Sequence, residues 1–278
     1  MVDLHTHTTE SDGLSTPTEL VALAASLGIH AVAVTDHDTI AGVGEARGAG
    51  ARHGVHVIAG VELEAAFDLG ALHVLGLGLT HLDGAFAEGL ETLREDRARR
   101  NRRMLSRLSQ LGIDADYGEL AAYAEGGVVA RPHFAQLLID RRFVDSYQEA
   151  FDRYLADGAA AHEPREAPSL SRCIELIHSG GGKAIVAHPR TLWLSSWRKI
   201  ENAFDEWKGK GLDGVEAYHT GASPQTCRHY AEIARNLGLL VSAGSDYHGK
   251  WGRLGRTCED MDIDDHFATP FLGHAVQI

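Results

Sequence analysis

Short apolar runs recur along this chain and stop, one after another, at a histidine or a carboxylate. Val2-Asp3-Leu4 leads into His5-Thr6-His7 and on to Ser11-Asp12-Gly13. The run 31–35 stops at Asp36-His37-Asp38, 55–61 at Glu62, 184–187 at His188-Pro189-Arg190, 213–217 at Tyr218-His219, and 239–244 at Ser245-Asp246-Tyr247-His248. One more run, 72–77, carries His73 inside it. Helical stretches lie between them. Ser15-Thr16-Pro17-Thr18-Glu19 reads as a helix start with Thr16 as cap, Pro17 in the first turn and Glu19 three residues after the cap. Gly28 ends that helix, and Gly180-Gly181-Gly182 ends one capped by Ser169. Strands alternating with helices suggest parallel βαβ units, whose ligands gather at the carboxyl ends of the strands.

Length and composition narrow the class. A chain of 278 residues fits one large barrel-like domain or a domain with an insertion. No run of eighteen apolar residues occurs, and no charged-then-apolar leader opens the chain, so a soluble, cytoplasmic, membrane-free protein is expected. The net charge of −13 disfavours holding duplex DNA on a broad basic surface. Cys173, Cys227 and Cys258 form no Cys-x-x-Cys pair, so neither a disulfide framework nor a thiolate zinc site is indicated. From residue 96 to 165 the pattern turns helical and basic, and it closes at the linker His162-Glu163-Pro164-Arg165. We read it as a helical insertion between barrel segments 1–95 and 166–278. Its run from Arg94 to Arg107 reads as a solvated helix face, with recruitment of oligonucleotide ends as the alternative.

The polar strand ends carry the chemistry. In an extended backbone His5 and His7 point to one side, so a single ion could take both. Imidazoles and carboxylates converging without cysteine suit Mn²⁺, Fe²⁺ or Zn²⁺, and the ligands are too many for one tetrahedral ion.

His5-x-His7, Thr35-Asp36-His37, Gly60-Val61-Glu62, Ala187-His188-Pro189 and Ser245-Asp246-x-His248 together resemble the polymerase and histidinol phosphatase (PHP) family of metal-dependent phosphoesterases, relatives of amidohydrolases. The segment Val129-Ala130-Arg131-Pro132-His133-Phe134 is similar to the subgroup of nucleoside 3′,5′-bisphosphate phosphatases and 5′-to-3′ exoribonucleases. The resemblance implies a distorted (β/α)7 TIM-like barrel, with the insertion as a lid, and a site for three divalent ions, Mn first and Zn or Fe as alternatives. His5, His7, Glu62 and Asp246 would hold one ion. Glu62, His73 and His188 would hold the second, and Asp12, His37 and His248 the third. Several family members have His where this chain has Asp12, a swap that favours a harder metal there. Asp3, Asp36 and Asp38 are expected to support the ligands.

A hydroxide bridging two of the ions is the expected nucleophile, with Glu62, His188 and Asp246 around it. Arg131, Arg190 and Lys183 are candidates for the non-scissile phosphate, and His133 and His219 for substrate contact or for protonating the leaving alkoxide. The activity so implied removes the 3′-phosphate from a nucleoside 3′,5′-bisphosphate. Alternatives are 5′-to-3′ trimming of short RNA in the same site, histidinol phosphate hydrolysis, and a non-catalytic metal-binding module. No obligate protein partner is indicated.

Overall fold

Seven strands form one sheet in chain order: β1 (Val2–Asp3), β2 (Ala31–Val34), β3 (His56–Ala65), β4 (Leu72–Leu77), β5 (Lys183–Val186), β6 (Gly214–His219) and β7 (Leu240–Gly244). The computed structural model that gives them describes residues 1–124, 127–164, 167–249, 252–258 and 261–272. The sheet curls until its edges meet. Leu4 N–H donates to the Ala243 carbonyl (3.3 Å), His7 N–H donates to the Tyr247 carbonyl (2.9 Å), and Thr6 bridges Tyr247 in parallel.

Side-chain parity explains why the strands are apolar throughout. In β2, Ala31 and Ala33 fill the barrel interior with Leu4, Ile58, Leu75 and Ile185. Val32 and Val34 point outward, under helices α1 (Pro17–Ser26) and α2 (Ala41–His53). A strand buried on both faces needs an unbroken apolar run. Helix α1 starts as its sequence requires: Thr16 Oγ1 accepts the Glu19 N–H, and the Glu19 carboxylate accepts the Thr16 N–H.

The all-parallel expectation fails at β4, which runs antiparallel to both β3 and β5. Only residues 66–71 join β3 to β4, too few for a crossover, so the pair closes as a hairpin. Strand β3 also continues to Ala65, which puts Glu62 inside a strand, opposite Leu75. Reversal brings the first residues of β4 to the barrel mouth. His73, two positions before the inward-facing Leu75, therefore points into the barrel at the mouth.

Helix α3 (Gly84–Gln110) runs through the expected boundary at residue 96. Its early residues Phe86, Leu90 and Leu93 pack on the barrel, whereas Met104, Leu105 and Leu108 join a separate apolar cluster. That cluster contains α4 (Tyr117–Ala122), α5 (Arg131–Asp140) and α6 (Tyr147–Ala150), with Phe134, Leu137 and Leu138 at its centre. The expected far boundary, at residues 165 and 166, lies outside the described residues. Helices α7 (Leu170–Ser179), α8 (Trp197–Gly209) and α9 (Pro224–Asn236) complete the outer layer. No helix among the described residues is long and apolar enough to cross a membrane.

The basic run on α3 is not the uniform solvated face read from its sequence. Arg97 and Arg100 are buried, and Arg97 Nε donates to Asp38 Oδ2 at 2.7 Å, tying α3 to the loop after β2. Arg103 and Arg107 both pair with Glu163, and Arg94 pairs with Glu91. Replacing Arg97 by Met strands the buried Asp38 carboxylate and should cost about 3–5 kcal/mol in chemical denaturation. Arg94→Ala, at an exposed pair, should cost less than about 1 kcal/mol. Equal costs would contradict this reading of Arg97.

Candidate metal centre

At the barrel mouth the polar strand ends meet. His5 Nε2 and His7 Nε2 are 3.1 Å apart. Both approach Glu62 Oε2 (3.4 and 3.2 Å) and Asp246 Oδ1 (3.2 and 3.3 Å). Metal–ligand bonds of about 2.0–2.1 Å in a tetrahedron imply donor–donor edges of roughly 3.3–3.4 Å. The four donors therefore already stand at the spacing one ion requires. The other oxygen of Glu62, Oε1, faces His73 Nδ1 (2.9 Å) and His188 Nε2 (3.0 Å). A third group gathers His37, His248 and Asp12, with His7 again beside it: His248 Nε2 is 3.3 Å and His7 Nδ1 3.8 Å from Asp12 Oδ1.

Proton placement tests whether cations fit. Glu216 Oε1 can only accept, so His5 donates from Nδ1 (3.0 Å), leaving its Nε2 as a lone pair. The Thr191 hydroxyl hydrogen goes to the Ala71 carbonyl, so His188 Nδ1 donates to Thr191 Oγ1 (3.1 Å) and its Nε2 is likewise bare. His248 Nδ1 donates to the Asp246 carbonyl (2.9 Å), and its Nε2 faces Asp12. Lone pairs aimed at carboxylate oxygens repel unless a cation lies between them. Protons serve poorly as those cations, because N–H groups on both His5 Nε2 and His7 Nε2 would collide. Among the described residues, Asp12 Oδ1 and His37 Nδ1 are buried and have no hydrogen-bond partner, as expected of atoms that serve a metal.

The electrostatics call for positive charge at the cluster: against burial, the neighbouring carboxylates raise the His5 and His188 imidazoles and push His7 up to about 10, so protons are drawn to the positions that an ion would take. Burial alone would raise the Glu62 carboxyl, but the imidazoles of His37, His5 and His73 hold it well below the usual carboxylate range. Asp246 is held low against burial by His5, His7 and His248. Burial pushes His37 down to about 4 against Glu62 and Asp12, which keeps its ring neutral and able to ligate.

Supporting carboxylates position these groups. Asp3 accepts N–H bonds from His5 (3.2 Å), Ser245 (3.0 Å) and Gly255 (2.8 Å), locking the two ends of the sheet together. Asp36 holds the loop that carries Asp12 through Thr8 and Ser11. Sequence reasoning missed Glu216, whose two oxygens take the His5 ring N–H and the His188 backbone N–H (2.7 Å). The signal was present: one carboxylate, on the inward parity, in the otherwise apolar run of β6.

The remaining candidates divide. His133 lines a cavity of ≈ 170 Å³ together with Asp12, Tyr123, Gln136 and Tyr147. Its Nδ1 accepts the Ala130 N–H (2.9 Å), so its proton sits on Nε2. Arg190 lies on the exposed rim, two residues past His188, and donates to the Gly221 carbonyl. Arg131 is turned to Asp157 (3.4 Å) inside the insertion and does not line the cavity. Lys183 is misassigned as a substrate contact. It opens β5 at the end of the barrel remote from His188, where it pairs with Asp213 (3.0 Å). Nor is His219 poised to protonate a leaving group: its Nδ1–H goes to the Thr220 carbonyl (2.6 Å) and burial lowers its pKa, so Nε2 is unprotonated.

Glu216→Gln should weaken divalent-ion binding about 10–100-fold while leaving the fold intact, measured by calorimetric titration of chelated protein with Mn²⁺. Unchanged affinity would deny Glu216 its orienting role.

Comparison with known proteins assigns the family. The PHP domain model matches residues 3–159. A 5′-3′ exoribonuclease of Haemophilus influenzae is 35% identical over 94% of this chain and 95% of its own length. A 3′,5′-nucleoside bisphosphate phosphatase of Chromobacterium violaceum is 33% identical over 94% of this chain and 92% of its own. An amidohydrolase structure from C. violaceum, with bound sulfate and no metal, superposes with a TM-score of 0.85 at 31% identity, covering 95% of this chain and 92% of that one. A family match over more than half the chain and full-length relatives accord with a barrel mouth crowded by imidazoles and carboxylates: the chain belongs to the PHP domain family.

Proposed function

We propose that the substrate of this PHP phosphoesterase is a nucleoside 3′,5′-bisphosphate, from which it removes the 3′-phosphate and leaves the 5′-nucleotide. The observation that carries the reading is the cavity between Asp12 and helix α5, which Asp12 joins to the group it forms with His7, His37 and His248. At ≈ 170 Å³ it is smaller than the range for drug-sized ligands, which suits one base rather than a folded oligomer.

In this reading nine side chains would hold three ions: His5, His7, Glu62 and Asp246 the first, Glu62, His73 and His188 the second, and Asp12, His37 and His248 the third. Divalent ions, Mn²⁺ foremost, supply Lewis acidity toward phosphoryl oxygens and a nucleophilic water at neutral pH. The protein's own groups bind and orient. Glu62 joins two ligand sets through its two oxygens. His133 Nε2–H offers the cavity a donor, and the rim guanidinium of Arg190 would take the second phosphate bidentately. Residues 127–129 of the insertion seat on the loop that leads to Asp12, with Val128 N–H donating to the Glu10 carbonyl (2.9 Å), which supports a lid role. The exoribonuclease named among the relatives favours a second reading, in which the same site trims short RNA from its 5′ end.

Incubated with adenosine 3′,5′-bisphosphate and Mn²⁺, the protein should release inorganic phosphate and AMP, and His188→Ala should not. Release no faster than from His188→Ala would overturn the proposal.

A further inference from the structure

The rim next to His188 carries, beside Arg190, aromatic side chains that neither the cluster nor the cavity uses. A turn, Pro189–Leu192, follows His188 and ends at Trp193, which is 69% exposed. Its backbone is left-handed (φ 52°, ψ 27°), a conformation that costs a bulky residue about 1–2 kcal/mol in isolation. A large aromatic held strained and in water contributes little to the core and leaves its ring faces open to a ligand. Trp197 lies four residues on, half-exposed, with its ring 4.1 Å from that of His229. Leu69, 55% exposed, sits on the β3–β4 loop, which Ala71 N–H pins to the Thr191 carbonyl.

Charge on this rim differs from that of the basic helix α3. Most arginines of α3 are paired with carboxylates. Arg190 donates instead to the Gly221 carbonyl, and Lys199 Nζ to Ser195 Oγ (3.1 Å); among the described residues neither has a carboxylate within ion-pair distance. Uncompensated cations flanking exposed indoles, on a chain of net charge −13, suit a polyanion with stacking faces. Trp193 lies five positions past His188, which limits the span between their backbones to about 18 Å.

We propose that Trp193, with Trp197 and the cations Arg190 and Lys199, forms a stacking platform for single-stranded RNA, holding nucleotides downstream of the one at the metal cluster. The inference deepens the trimming reading of the proposed site and rests on it. Bases stack on the indoles while the cations follow the phosphates, so recognition is tolerant of sequence and weakened by salt.

The test is fluorescence anisotropy with a 5′-phosphorylated RNA of about ten nucleotides, within the usual range for such platforms. Ca²⁺ replaces Mn²⁺ to slow cleavage. Trp193→Ala should bind roughly 5- to 150-fold more weakly, the range for losing one base–aromatic stack, and Trp193→Phe should retain most of the affinity. Trp193→Gly should lose binding yet melt at a higher temperature, since glycine accepts the left-handed backbone. Phosphate release from adenosine 3′,5′-bisphosphate should be unchanged in all three, so loss of that activity in the wild type would sink the phosphatase reading without touching the platform. Unaltered RNA affinity in Trp193→Ala would overturn the proposal. So would light scattering that shows a wild-type dimer split by the same substitution, which would make the rim a contact between copies.

Discussion

The mouth of this barrel is organised by a buried carboxylate that requires positive charge around it. Glu62 is buried at its centre, one oxygen facing His5, His7 and His37 and the other facing His73 and His188. Glu216 and Thr191 engage the Nδ1 atoms of His5 and His188, so that the Nε2 atoms of both rings are turned toward the cluster. A carboxylate so buried is costly unless positive charge accompanies it, and divalent cations supply that charge while leaving the imidazoles free to ligate. The strained backbones of His188 and Asp246, both left-handed, fit the same account, because the surrounding barrel holds the ligands in place before an ion arrives.

The fold supplies this preorganisation through parity and direction. Inward-facing positions of β3 and β6 deliver Glu62 and Glu216, and the reversed β4 delivers His73 from the start of its strand rather than the end. Asp3 fastens the first strand to the loop after the last, so that His5, His7, Asp246 and His248 share one rigid neighbourhood. Among the described residues the insertion is coupled to that neighbourhood through contacts that include Arg97 on Asp38 and Val128 on Glu10. Movement of the insertion would thus be felt by the loops that carry Asp12 and His37.

Much of this was legible in the sequence, because apolar runs broken by His, Asp or Glu report both the strands and the residues at their ends. All nine residues expected to ligate lie at one mouth. What the sequence concealed was direction and distance. The antiparallel course of β4 follows from a short connection that periodicity does not weigh, and it explains why His73 lay inside a run instead of after it. Lys183 was misplaced because a residue at the wrong end of a strand looks as near in sequence to His188 as one at the right end. Glu216 was passed over inside an apolar run, and Arg97 within a basic one, since neither partner, His5 nor Asp38, is close in sequence.

Cations at Glu62 are the central expectation for this barrel mouth. Metal analysis of protein purified in Mn²⁺ and dialysed free of excess ion, compared with Glu62→Gln treated identically, tests it most directly. The expected result is more than two ions bound per wild-type chain and, because Glu62 serves two of the three ligand sets, one or fewer in the variant. Well under one ion per wild-type chain, or the same content in both proteins, would contradict it.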